Sequence, residues 1–346
     1  MKAVVFQGIG SVAVEDVPDP AIEQPGDAIV EVGLSGICGS DLHLYHGRLP
    51  LTPGETLGHE GVGVVREVGS AVQRCRPGDR VVASFIIVCG RCWYCRHGEH
   101  SLCGEARNLG FGAHGGGLGG AQAEFLRVPF ADTNLLSIPD EVNDERGLFV
   151  GDTLTAGCYA ASLAQIKPHE TVAVVGAGPV GLFSAQAGLV EGALQVAVID
   201  RVADRLAIAD QVGAVSIDAT RSEPREVVRE LTGGRGADVA IEAVGNLSAF
   251  ETARSVLRRG GRIVVIGVYG SETLELPMGA YWIRGIKIIF GGACPVHAFW
   301  DKALHWVRAG RIDPSPVISH RLPLDDAARG YELLDSQEAR KVLLTP

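Results

Sequence analysis

The chain has 346 residues, 46% hydrophobic and 21% charged, a balance that suits a globular protein with more than one core. Its 31 Lys and Arg against 41 Asp and Glu leave a net charge of −10, which disfavours nucleic acid or an anionic membrane as partner. No run of eighteen apolar residues is present, and the start Met1–Gly8 reads as a strand, so a cytoplasmic protein is expected.

From Met1 to about Pro139, short apolar runs are broken by Gly, Pro and Asp. Ala28–Val32, Gly61–Val68, Arg80–Ala83 and Ala123–Val128 read as strands of a β-rich domain with Greek-key or barrel character. Gly8-Ile9-Gly10 is followed by more strand and reads as a hairpin turn. Cys38 opens Cys38-Gly39-Ser40-Asp41-Leu42-His43, and twenty-one residues later comes His59 in Gly58-His59-Glu60-x2-Gly63-x5-Gly69-x2-Val72. A buried His beside a surface Glu is the ordinary reading of such a pair. The spaced glycines and the upstream cysteine favour instead a metal ligand held in a tight turn.

Eight cysteines are present, and four fall within fifteen residues as Cys89-x2-Cys92-x2-Cys95-x7-Cys103. In a reducing compartment such a cluster points to metal rather than disulfides. Four thiolates can wrap one Zn²⁺ tetrahedrally with no position left for chemistry, so the expected role is to staple a loop. An iron–sulfur cluster uses similar spacing. A nucleic-acid-binding zinc ribbon fits poorly, because the lobe carries only Arg91, Arg96, His97, His100 and Arg107 on an acidic protein. Trp93 and Tyr94 read as packing or rim residues.

Near Gly151 the pattern changes to alternating strands and helices. Strands are expected at Thr171–Gly176, Gln195–Asp200, Ala214–Ile217, Asp238–Ala243, Arg262–Gly267 and Ile286–Phe290, with helices such as Val180–Leu189 and Arg201–Val212 between them. The whole reads as α/β, with one doubly wound, six-stranded parallel sheet. Val172–Val175 leads into Gly176-Ala177-Gly178-Pro179-Val180-Gly181 and then a helical pattern. Those glycines permit a tight turn, approach to a dinucleotide pyrophosphate and helix-to-sheet packing, and the helix N-terminus receives the negative charge. Asp200, nineteen residues after Gly181, is placed to accept hydrogen bonds from a ribose. Its charge repels a 2′-phosphate, so NAD is expected over NADP. Arg201 and Arg205 would soften that preference unless they are simply a solvated helix start. The chain closes with helices at Phe299–Ala309 and Leu324–Leu334, then a strand at Lys341–Leu344 expected to return to the first domain.

Together, the Cys38 and His59 segments, the four-cysteine lobe and the Gly176 turn resemble the zinc-dependent medium-chain alcohol dehydrogenases, over essentially the whole chain and in the family's order. The resemblance implies a GroES-like catalytic domain over 1–150 with its four-cysteine lobe at about 86–107, a Rossmann domain over 151–292, and a return to the catalytic domain over 293–346. It implies an active site in the cleft between the domains and two zinc ions per chain. Cys38, His59 and Asp152 match the ligands of the catalytic zinc, and Glu60 matches an acid that stays beside the metal or approaches it. Ser40 and His43 match a hydroxyl-to-ribose-to-imidazole relay that carries the alcohol proton away. The separate readings of Asp152 as a helix cap, of Ser40 as a turn residue and of His43 as a surface residue stand beside these roles. The activity implied is hydride transfer between an alcohol, or its aldehyde or ketone, and NAD(H). Dimers extended at Ile286–Phe290, and tetramers built from them, are also implied.

The family's Thr-Gly that packs on the nicotinamide appears here as Ala156-Gly157, with Thr155 just before it. Cys75, Cys158 and Cys294 read as small buried residues, and His46 receives no role. The phrases Ala123–Asp132 and Asp152–Leu154 resemble the glutathione-independent formaldehyde dehydrogenases, whose long insertion this chain is too short to carry. Polyol and threonine dehydrogenases are the nearby alternatives, although no arginine pair is evident for an amino-acid carboxylate. Two readings of other kinds compete: a zinc-free reductase of activated double bonds, opposed by Cys38, His59 and Asp152, and a zinc-stapled NAD-binding protein without turnover.

Overall fold

The computed structural model describes residues 1–270 and 273–346. They fall into two units, one of Met1–Asp152 with Pro295–Pro346 and one of Thr153–Cys294.

In the first unit the strand Ala28–Ile37 is the hub. It pairs antiparallel with Glu60–Val68, Phe125–Val128 and Val342–Thr345. Arg80–Ala83 and Leu135–Ser137 continue the sheet on one side, and His320–Pro323 on the other. The hub strand runs five residues past the expected Val32. Gly33, Ser35 and Gly36 look like breakers in sequence, yet they sit inside the paired strand, and at Gly36 the Glu60 and Lys341 side chains leave no room for a Cβ. The same crowding explains Gly63, where a Cβ would overlap the carbonyl oxygen of Glu31, beside a register shift. Because Gly36 pairs with Glu60 and Ile37 with Val342, Cys38, His59 and Lys341 all emerge at one end of this three-strand ladder.

Alternate residues of these strands face inward, as the two-residue period of a strand requires. Val30, Val32, Val65, Val81 and Leu126 form one apolar cluster. Ile37, Leu57, Tyr331, Leu334 and Leu344 belong to a second. Each such side chain contributes about 1.5–3 kcal/mol on burial. Lys2–Gly8 and Ser11–Asp16 form the expected hairpin about Gly10, which has φ +74°. The late helices run Trp300–Arg308 and Ala327–Asp335, the second preceded by a 3-10 turn at Leu324–Asp326.

The second unit is a six-stranded, all-parallel sheet in the order Val215–Asp218, Gln195–Asp200, Thr171–Val175, Ala237–Glu242, Leu257–Val265, Lys287–Phe290. Every residue of Thr171–Val175 is buried, as for a central strand covered on both faces. Strand order reverses there, between Gln195–Asp200 and Ala237–Glu242, which makes it the topological switch point. The fifth strand begins at Leu257 rather than at Arg262. Leu257 already pairs with Ala237, and the register then slips before Arg262 meets Val239. Apolar periodicity does not reveal such a slip. No helix among the described residues is long and apolar enough to cross a membrane.

Gly63→Ala must push two paired strands apart, so we expect it to lower unfolding stability by about 3 kcal/mol. The shift of a urea midpoint measures this, and an unchanged midpoint would show that the strands separate freely at this point.

Candidate functional site

The ladder end described above gathers donor atoms. Cys38 follows the hub strand, His59 precedes and Glu60 begins the strand paired to it, and Asp152 follows the 3-10 turn Phe149–Gly151. One donor atom from each of these four lies within 4.8 Å of the others. Cys38 Sγ is 3.9 Å from Asp152 Oδ2. His59 Nε2 is 3.4 Å from that same oxygen and 3.1 Å from Ser40 Oγ. The other ring nitrogen, Nδ1, lies 2.9 Å from Asp41 Oδ1, so the imidazole is held with Nε2 toward the cluster.

Asp41 is wholly buried, and its second oxygen accepts from the Cys38 N–H at 2.9 Å and from Gln122 Nε2 at 3.3 Å. Gln122 in turn accepts from the Tyr331 hydroxyl at 2.9 Å. Sequence reasoning assigns Asp41 no role. An acid in the first turn of the helix Asp41–Tyr45 already has an ordinary explanation in the helix dipole, which hides it. Lys341 is missed as well. It is buried with its ammonium on Glu60 Oε2, and the only signal in the sequence is a charge heading an apolar strand.

The site is strongly electrostatic. Burial opposes a charge on His59, but Asp41, Asp152 and Cys38 outweigh it and hold the imidazole pKa well above its usual value. Burial pushes the Glu60 carboxyl up against the pull of Lys341. Burial would raise Asp152 too, yet His59 leaves it below the ordinary carboxylate value. Such a buried, acid-rich set calls for a cation. Thiolate, imidazole and carboxylate are the donors that zinc takes, and Glu60 Oε1 is buried without a hydrogen-bond partner. The residues fit a zinc ion.

Ser40 therefore lies at the cluster, while His43 is half-buried one turn along the helix, its N–H bonded to the Ser40 carbonyl at 3.1 Å. His46 pairs with Asp335 at 2.7 Å and has no place in the cluster. The rings of Phe111 and Phe85 meet His59 edge-on, with centroids at 5.4 and 6.3 Å.

The second cluster joins Cys89, Cys92, Cys95 and Cys103, whose sulfurs all lie within 4.8 Å of one another. Cys92 and Cys95 are 3.5 Å apart, and Cys89 and Cys103 3.6 Å. Four thiolates on one zinc stand about 3.8 Å apart, whereas a disulfide needs about 2 Å. The Cys95 backbone N–H lowers the Cys92 thiol to about 6, which favours its thiolate. Trp93 is 61% exposed and stacks on His97 at 4.1 Å, so it sits on the rim of the lobe.

In the second unit the glycine turn leaves the central strand. Gly176 has φ +102°, Gly178 caps the helix Pro179–Val190, and a Cβ on Gly181 would overlap the Gly176 carbonyl oxygen. A Cβ on Gly178 would meet nothing within 4 Å, leaving room where a phosphate would approach. Pro179 opens the helix, and the Val180 carbonyl accepts from Ser184 Oγ at 2.7 Å. Asp200 ends the neighbouring strand. Its Oδ2 accepts from the Ala177 N–H at 2.5 Å, and its Oδ1 from Arg201 and Val202 N–H at 2.6 and 2.9 Å. Arg201 is exposed, whereas Arg205 is half-buried with Nε lacking a hydrogen-bond partner. Thr155 is buried, and Gly157 lies where a Cβ would press on Phe183 and the Ser184 backbone, so this glycine serves helix packing. Cys75, Cys158 and Cys294 are buried.

Two family models match the chain: the alcohol dehydrogenase GroES-like domain over residues 24–140 and the zinc-binding dehydrogenase domain over residues 179–309. The chain is 39% identical, over 100% of both chains, to an uncharacterized zinc-type alcohol dehydrogenase-like protein of Bacillus subtilis strain 168. An alcohol dehydrogenase of Thermus sp. ATN1 superposes with a TM-score of 0.95 at 43% identity, covering 100% of this chain and 99% of that one. A candidate zinc-binding dehydrogenase of Sinorhizobium meliloti 1021, bound to NADP, gives 0.87 at 32% identity over 100% and 99%.

Asp41→Asn frees the imidazole to turn, so zinc affinity at the Cys38 cluster should fall about 10- to 100-fold with the zinc of the four-cysteine lobe retained. Chelator competition reads both sites, and unchanged affinity would exclude the orienting role.

Proposed function

The chain belongs to the zinc-binding alcohol dehydrogenase group of medium-chain dehydrogenases/reductases, and from that premise we propose that it is a zinc-dependent, NAD(H)-linked dehydrogenase of a primary or secondary alcohol. The observation that carries the reading is the convergence of Cys38, His59, Glu60 and Asp152 within 4.8 Å, with a buried Glu60 oxygen left over. Cys38, His59 and Asp152 would hold the catalytic zinc, and Asp41 keeps His59 aimed at it. Bound there, zinc acts as a Lewis acid that eases loss of the alcohol proton or polarises a carbonyl, while the nicotinamide takes or returns the hydride.

Ser40 Oγ, 3.1 Å from His59 Nε2, is placed to accept a proton released at the cluster. His43, one turn along the helix, would receive it by way of the ribose of a bound nucleotide and pass it outward. The four-cysteine lobe holds a second zinc as a staple. Gly176, Gly178 and Gly181 admit the pyrophosphate, with Pro179 and Val180 at the helix end that receives it. The Asp200 charge favours NAD over NADP. Arg205, with an unsatisfied Nε, and the NADP-bound relative support a second reading in which NADP is also used. Formaldehyde, a polyol and threonine remain in the substrate panel. The sulfur separations of 3.5 and 3.6 Å in the four-cysteine lobe suit a metal rather than disulfides, in keeping with a reducing cytoplasm.

We further propose a homodimer, with pairs of dimers as the alternative. The last strand, Lys287–Phe290, is a sheet edge. Phe290 is 69% exposed, and Trp282, in the preceding helix, is 81% exposed. An open apolar edge of this kind is normally covered.

Cys38→Ser should remove one of two zincs and abolish alcohol oxidation while NADH still binds. A protein with a single zinc, lost only on Cys92→Ser, would end the catalytic-zinc reading. Initial rates on a panel of alcohols with each nucleotide give the substrate and the cofactor preference. For the dimer, Trp282→Lys should shift the sedimentation coefficient to that of a single chain, and a monomeric parent protein would refute the assembly.

A further inference from the structure

Lys341 is a buried charge to which the metal centre gives no task. Its side chain is 1% exposed, its ammonium rests on Glu60 Oε2, and the Phe149 ring lies 5.8 Å from Nζ. Lysine almost never goes so deep without a paired partner. The backbone fixes it there, because the Lys341 carbonyl accepts from the N–H groups of Ser319 at 3.0 Å and His320 at 3.2 Å and from the Ser319 hydroxyl at 3.0 Å.

Sheet register explains how the lysine reaches the acid. Val342 pairs with Ile37, and Gly36 pairs with Glu60, so the hub strand runs between the two side chains. A Cβ on Gly36 would overlap Glu60 Oε2 and stand 3.0 Å from both Cε and Nζ of Lys341. The glycine is the window across which acid and lysine meet.

The two oxygens of Glu60 differ. Oε2 carries the ammonium, while Oε1 is buried and unpartnered. A Glu60 oxygen is also within 4.8 Å of the donor atoms of Cys38, His59 and Asp152. Two cations, the lysine and a metal at the cluster, therefore attract one carboxylate. We propose that Lys341 is a positioning residue that holds Glu60 back from full ligation and so sets how readily the metal exchanges its remaining ligand. This rests on the metal-centre reading above. Without the ammonium, Glu60 is a buried anion whose nearest cation is the metal. Ligation by four protein groups then closes the site as the four-cysteine lobe is closed.

The test uses the two-zinc protein and follows zinc transfer to a chromophoric chelator, with the zinc of the four-cysteine lobe as internal reference. Lys341→Met should release the Cys38-site zinc about tenfold more slowly, with the phase from the lobe unchanged. It should lower kcat with little change in KM, and alter the visible bands of the cobalt-substituted protein as a fourth protein ligand binds. Lys341→Arg should behave as the parent. Adding Glu60→Gln to Lys341→Met should restore the parental rate, because the amide neither needs the lysine nor binds the metal well. Should Lys341→Met fail to fold, Lys341→Gln makes the same comparison. Release that is unchanged or faster, or a slowing that survives Glu60→Gln, overturns the proposal while two zincs keep the metal-centre reading intact. A parent protein holding only the zinc of the four-cysteine lobe overturns both.

Discussion

Much depends on the pairing of Ala28–Ile37 with Glu60–Val68 in the register that sets Gly36 against Glu60. In a β-ladder a slip of one residue turns every side chain to the opposite face. Such a slip here would carry Glu60 away from Cys38 and from Lys341. The apolar residues at Val30, Val32 and Val65 enforce the register from below, because the same slip would expose them to water. Core packing and site chemistry are thus decided by one alignment of two strands.

That alignment concentrates charge in a place where charge is expensive. Asp41, His59, Glu60 and Lys341 are all buried at one end of the sheet. Each is tolerable only through its partners: Asp41 through the Cys38 N–H and Gln122, Lys341 through Glu60 and the face of Phe149. The four-cysteine lobe shows the opposite arrangement. Its four sulfurs come from fifteen residues and converge on one another, so the donor set is local. The first cluster draws its donors from three distant stretches and reports on how the whole unit is folded.

Legibility in the sequence follows locality. The Gly176 turn and the four-cysteine lobe are each written in one continuous stretch, so strand, glycines and helix, or four spaced thiols, can be recognised together. Cys38 and His59 are legible through their surrounding motifs and a family resemblance. Asp41, Gln122, Tyr331 and Lys341 are not, because their contacts span up to 281 residues and exist only after the sheet forms. Gly36 looks like a breaker, although its lack of a side chain lets Glu60 and Lys341 meet. The early start of the strand at Leu257 is hidden for a related reason, a slip in pairing that leaves no periodic trace.

The bond from the Ala177 N–H to Asp200 ties the glycine turn to the neighbouring strand. The carboxylate proposed to sense the ribose is therefore also the clasp that keeps the turn's shape. Exchange of this acid for a neutral residue, the obvious route toward a phosphorylated cofactor, would undo the clasp at the same time. A change of cofactor by that route would need another group to hold the loop, so on the proposed reading one side chain couples nucleotide choice to loop integrity.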